Sequence, residues 1–150
     1  MKAIAALIDF SSVSEKVVAA AGEQAKAFGA RVILMHIVPK EEVVMGFGLV
    51  CPVVLPPTVV PGVNAHRDAM EAMRDSLAQT GVDVLVEHVT DCTVEKLMEE
   101  CRTWKIDLIV LGSHQHSTIY NWFVGAFTAE VLESASCPVL VVPAEVDPLE

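Results

Sequence analysis

Positive charge is what this sequence has least of. Ten lysines and arginines stand against twenty aspartates and glutamates in 150 residues, a formal charge of −10. Nucleic-acid affinity comes largely from Lys and Arg on phosphates, and anionic bilayers attract polybasic segments. The expectation is therefore no nucleic-acid partner and no membrane partner. The four cysteines, Cys51, Cys92, Cys101 and Cys137, form no CxxC and no tight pattern. Cys92 and Cys101 are expected on one helix, nine residues apart and facing opposite ways. Neither a disulfide framework nor a zinc site is expected, and reduced thiols in a cytoplasmic protein are the plain reading. No secretory leader is expected either, because Asp9 interrupts the Ala3–Ile8 run too early. The chain also lacks a GxxxxGK[ST] loop, a GxSxG elbow and a paired-carboxylate motif. Gly46-Phe-Gly48 lacks the third glycine and the leading strand of a dinucleotide fingerprint. Asp9 stands alone before Phe10, without the acidic cluster of a response-regulator receiver.

What is abundant is apolar. Hydrophobic residues make up 53% of the chain and charged residues 20%, which excludes intrinsic disorder and predicts one folded domain over residues 1–150. Ala3–Ile8 is a continuous apolar run, and Val32–Val38, Ile106–Leu111 and Val139–Val142 are largely apolar, the mark of buried parallel strands. Val82–Glu87 alternates with polar positions and reads as an edge strand. Helices are predicted between them. One follows a Ser12/Glu15 capping box, with Val13, Val17, Ala21 and Phe28 on one face and Gly29 as its stop. A second is capped by Asn64, shows Ala69, Met73 and Leu77 on one face, and is closed by Gly81. A third carries Val94, Leu97, Met98 and Cys101. A fourth, after Gly125, is marked by Val131, Leu132 and Ala135. Alternating strands and helices predict an α/β fold with a parallel sheet covered on both faces. Between Val43 and His66 there is no charged side chain, but Pro52, Pro56, Pro57, Pro61 and three glycines forbid a spanning helix. The stretch at about 40–63 is an apolar Pro/Val-rich loop, read either as a variable surface loop, as a lid, or as a subunit contact.

In such sheets, ligands bind at the carboxyl ends of strands where the winding reverses. That selects Asp9–Ser12 and the loop Gly112–Val124, which is read as leading to a helix whose first turn is Gly125–Thr128. Free amides at a helix start favour anions. The loop has no Lys or Arg, so a phosphate there depends on amides, hydroxyls, a metal ion, or His114 and His116. His114 and His116 face the same way in an extended segment, but a third metal ligand is not in view. His36, inside an apolar strand, reads as a core histidine bonded to backbone.

Asp9-Phe10-Ser11, Met35-His36-Ile37-Val38, Leu111-Gly112-Ser113-His114, Val124-Gly125 and Cys137-Pro138-Val139-Leu140-Val141-Val142 together resemble the universal stress protein family, in order and over nearly the whole chain. The resemblance implies an open five-stranded parallel sheet in order 3-2-1-4-5. It also implies a homodimer, often paired through the last strand, which suits the apolar edge Val139–Val142. Members that bind ATP carry G-x2-G-x9-G-(S/T). Here Gly112 and Gly125 match the first and third glycines, Gln115 replaces the second, and Ala126 replaces the hydroxyl residue. Thr128 matches a hydroxyl that often follows. Asp9 matches a carboxylate near ribose and adenine. Leu7, Ile37 and Leu111 fall near the base, with Val38 beside them. Gly112, Ser113, His114, Gln115, Gly125, Ala126, Phe127 and Thr128 make up the phosphate side.

The two departures together cost roughly 2–5 kcal/mol, from a left-handed non-glycine and a lost hydroxyl, or about 30- to several-thousand-fold in affinity. Three functions follow from the resemblance. The first is binding of an adenine nucleotide, ATP or AMP, in a stress response. The second is a homodimeric interaction protein that binds no nucleotide. The third, slow ATP hydrolysis, ranks last because no general base or basic residue is placed in the loop. With no local base, a triphosphate is expected to need Mg²⁺ or Mn²⁺.

Overall fold

A computed structural model describes residues 1–39, 63–113 and 121–144. Five parallel strands, β1 (Ala3–Ile8), β2 (Arg31–Pro39), β3 (Val84–Cys92), β4 (Leu108–Ser113) and β5 (Val139–Pro143), form one sheet in the order β3-β2-β1-β4-β5. The helices are α1 (Ser14–Phe28), α2 (Val63–Ala78), α3 (Val94–Thr103) and α4 (Asn121–Ser134). β1 sits in the middle, and all six of its residues are buried. A strand covered on both faces has no use for polar alternation, which is why its sequence is an unbroken apolar run.

The core has two halves, one on each face. Ile4, Ala6, Ile8, Val32, Leu34 and Val110 meet Val17 and Ala21 of α1 and Met70 and Leu77 of α2. Ala5, Leu7, Ile33, Met35, Ile109 and Leu111 meet Leu97, Met98 and Cys101 of α3 and Val131 of α4. Each fully buried aliphatic side chain contributes about 1.5–3 kcal/mol. α1 and α2 approach so closely at Gly22 that an added Cβ would stand 2.5 Å from Leu77 Cδ1.

Several local readings change. Ser12 does not cap α1. The chain first turns through Asp9–Ser11, and the cap residue is Val13, whose aliphatic side chain makes no cap bond. Gly29 ends α1 as expected, left-handed at φ 62, with its N–H on the Ala25 carbonyl. Phe28 is 55% exposed and Ala25 takes its place inside. On α2, Met70 rather than Ala69 is fully buried, and the helix starts at Val63, one residue before Asn64. β3 runs on through Cys92, opposite Pro39, so Cys92 lies on a strand and not on a helix with Cys101. Thr93 then caps α3, its hydroxyl accepting the Lys96 N–H at 3.3 Å. Cys92 and Cys101 therefore pack into the same half of the core. Burial raises their thiols to about 11 and about 12, so they act as small apolar groups. On α4, Val131 is buried but Leu132 is 51% exposed. The apolar loop at 40–62 lies outside the described residues, as do residues 114–120 with His114, Gln115 and His116. Among the described residues, no helix is long and apolar enough to cross a membrane.

Candidate functional site

β1 and β4 are neighbours, but the chain leaves them in opposite directions, toward β2 and toward β5. Their carboxyl ends therefore diverge and leave a crevice between the following loops. Asp9 is the first residue after β1. Its Oδ1 accepts the Ser11 N–H at 3.0 Å and the Ser14 hydroxyl at 3.1 Å. The first bond closes an Asx turn, and the second ties the carboxylate to the first residue of α1. Asp9 is exposed while Ser14 is only 2% exposed, so the buried hydroxyl orients an accessible carboxylate.

Phe10 completes this turn at φ 59, a left-handed conformation that costs a bulky residue about 1–2 kcal/mol. Its ring stacks on His66 at 4.6 Å and meets His36 edge-on at 4.8 Å. Ser11 Oγ is buried and has no hydrogen-bond partner among the described residues. A hydroxyl in that state costs about 1–3 kcal/mol.

Across the crevice, Gly112, the last residue but one of β4, lies against Val13. A Cβ at Gly112 would run into the Val13 side chain, lying 3.3 Å from its Cβ and nearer still to Cγ1. The glycine is needed for close approach of two elements. Leu7, Ile37 and Leu111 share one face of the sheet, in the half of the core that Phe127 of α4 also packs against. Ser113 and Thr128 are half-buried. Val38 is on β2 next to Ile37.

α4 begins at Asn121, so Gly125 does not open it. β4 also reaches Ser113, which shortens the connection to residues 114–120. Residues 125–128 lie in the second turn, where amide N–H groups bond to carbonyls one turn back. The free amides of the helix start belong to residues nearer 121. Periodicity located the helix but not its first turn, which begins at the cap-type residue Asn121.

The sequence reading missed two features. One is the Ser14–Asp9 bond, which depends on α1 starting later than the Ser12 pattern suggests. The other is the partner of His36. That ring is 8% exposed, and its Nδ1 lies 3.3 Å from Nδ1 of His88, not on a backbone group. The pairing follows from the β2–β3 register, which sets His36 beside His88. Only a known strand order exposes that signal.

The fold and crevice define a doubly wound α/β domain with its candidate site at the switch point. A profile of the universal stress protein family matches residues 1–143, and the chain belongs to that family. The fold is similar to a universal stress protein family member from Burkholderia pseudomallei, at 23% identity and TM-score 0.71, covering 95% of this chain and 96% of that one. A universal stress protein solved in complex with cAMP aligns at 23% identity and TM-score 0.68, over 95% and 96% of the two chains. One from Archaeoglobus fulgidus, in complex with dAMP, aligns at 17% identity and TM-score 0.64, over 94% and 96%. No curated protein matches the sequence.

Proposed function

We propose that the protein binds an adenine nucleotide, ATP or AMP, in the crevice between the ends of β1 and β4. The observation that carries this is Asp9, held by Ser11 and Ser14 at the switch point beside a Ser11 hydroxyl that has no partner among the described residues. An accessible carboxylate with two fixed donors is suited to ribose hydroxyls. A buried orphan hydroxyl gains a partner when a polar ligand enters. Leu7, Ile37, Val38 and Leu111 supply the apolar side of the site. Gly112, Ser113, His114 and Gln115 form its phosphate side, with Gly125, Ala126, Phe127 and Thr128 one turn into α4 and the free amides of that helix nearer Asn121. The cAMP and dAMP complexes of similar folds support the nucleotide class. Mg²⁺ or Mn²⁺ accompanies a triphosphate, because the chain carries −10 and the loop has no base. The protein acts in the cytoplasm as a nucleotide-dependent stress-response module.

The test is a calorimetric titration of ATP and of AMP, with Mg²⁺, into the dialysed protein and a Gln115→Gly/Ala126→Ser variant. Binding to the natural chain, weakened by Asp9→Ala, is the expected outcome. Binding by neither chain overturns the reading.

A second reading rests on the edge of the sheet. Val139–Val142 of β5 is an edge strand whose four apolar side chains are only half-buried, with Leu132 exposed nearby in sequence. We infer that two copies pair through this strand. Light scattering of a Val141→Lys variant is expected to give a monomer.

A further inference from the structure

The half of the sheet that faces α1 and α2 ends in a histidine cluster that nucleotide binding leaves unused. His36 and His88 are register partners on adjacent parallel strands, so their side chains project to the same face. Leu7 and Ile37 project to the other. The His36 and His88 ring centroids are 5.5 Å apart, the planes cross at 83°, and the Nδ1 atoms face each other at 3.3 Å. His66 of α2 brings its ring to 5.3 Å from His36, again at 83°, and is backed by the stacked Phe10. His36 is buried, whereas His66 and His88 are exposed, so the pair is reachable from solvent.

Two neutral imidazoles that face each other through Nδ1 can share only one proton, and 3.3 Å is long for such a bond. It is the right separation for a different arrangement. Two nitrogens each about 2.0–2.1 Å from a tetrahedral Zn²⁺ lie about 3.3–3.4 Å apart. We propose that His36 Nδ1 and His88 Nδ1 form a binding site for an imidazole-preferring divalent d-block cation such as Zn²⁺.

Burial keeps His36 neutral and its lone pair available, with the pKa lowered to about 4. Desolvation is the main cause, His66 and His88 add to it, and Asp9 opposes it. Among the described residues, no three His, Cys, Asp or Glu side chains form a metal-binding group. The protein therefore supplies two ligands and leaves the remaining positions to water or an exogenous donor. The chain's net charge of −10 raises the local cation concentration. Imidazole nitrogens select Zn²⁺, Ni²⁺ or Cu²⁺ over Mg²⁺ or Mn²⁺, so this site is chemically distinct from a cation carried on phosphates.

The experiment is titration of Co²⁺, read by its d–d absorption, and of competing Zn²⁺, into metal-free protein without nucleotide. One ion per chain is expected. His88→Gln, at an exposed position where thermal melting should not move, weakens binding by more than about tenfold, and His36→Gln does the same. Undiminished affinity in His88→Gln, a thiolate-to-cobalt charge-transfer band, or no saturable binding of either ion overturns the proposal. Because the titration contains no nucleotide, its result is independent of the switch-point reading.

Discussion

At the amino end of the sheet, Asp107 accepts the backbone N–H groups of Lys2 and Ala3 at 2.6 and 3.2 Å, joining the β1 and β4 entries. Arg31 and Asp83 pair at 3.2 Å across the entries to β2 and β3. At the carboxyl end, the backbone is left-handed at Phe10, the Ser11 hydroxyl has no partner among the described residues, and buried His36 meets His88 at 3.3 Å. At the first end the polar groups are paired, around an open cavity of about 930 Å³ that Lys2, Arg31, Asp83 and Asp107 help to line. The other carries the unsatisfied polarity, whereas left-handed backbone occurs at both, at Phe10 here and at Lys105 (φ 53) at the first end. The proposed nucleotide site is at the second end, where the loops after β1 and β4 diverge.

The largest test of this contrast is at Gly112. Gly112→Val is expected to lose about 3 kcal/mol in urea unfolding, since the new side chain must displace Val13. An unchanged midpoint would show that the two elements are not in close contact. Next is pH. His36 holds a pKa of about 4 when folded against 6.5 ordinarily, so the unfolded chain takes the proton first. Stability is complete above pH 6.5 and falls toward pH 4, by at most about 3 kcal/mol, in metal-free buffer. His36→Gln should flatten that stretch of the curve. Asp107 is held below its ordinary 3.8 by the Lys2 N–H first and the Ala3 N–H next. Its contribution is therefore lost only below that value, and the two ends separate in pH.

A smaller effect comes from the turn. Phe10→Gly and Phe10→Ala both remove the ring from His36 and His66, but only glycine relieves φ 59. The glycine variant should be the more stable by about 1 kcal/mol, the reverse of the usual order. The smallest is at the amino end, where Arg31→Ala should cost under about 1 kcal/mol, both partners being half exposed or more.

Much of the architecture was legible. β1 was read at its observed bounds, Gly29 stops α1, and β3 is the polar-patterned edge. These features rest on local patterning, which survives in the sequence because each residue's environment repeats along its own element. Strand order came from resemblance, since pairing between distant runs leaves no local trace. Ends were harder. Ser12 and Glu15 spell a capping box, but the Asp9 turn competes for the same backbone and wins. Asn121 is itself a cap-type residue, and α4 begins there, earlier than Gly125 suggests. Of the candidate site, Asp9 and Gly112 were visible as residues, though not their ties to Ser14 and Val13.

By itself the sequence determined the class of fold, because largely apolar runs between amphipathic helices have few ways to bury themselves. Only the tertiary structure decided which polar groups meet. His36 and His88 are 52 residues apart, and nothing near either one names the other. Their contact exists because β2 and β3 pair in one register, and a shift by one residue would turn either ring to the opposite face.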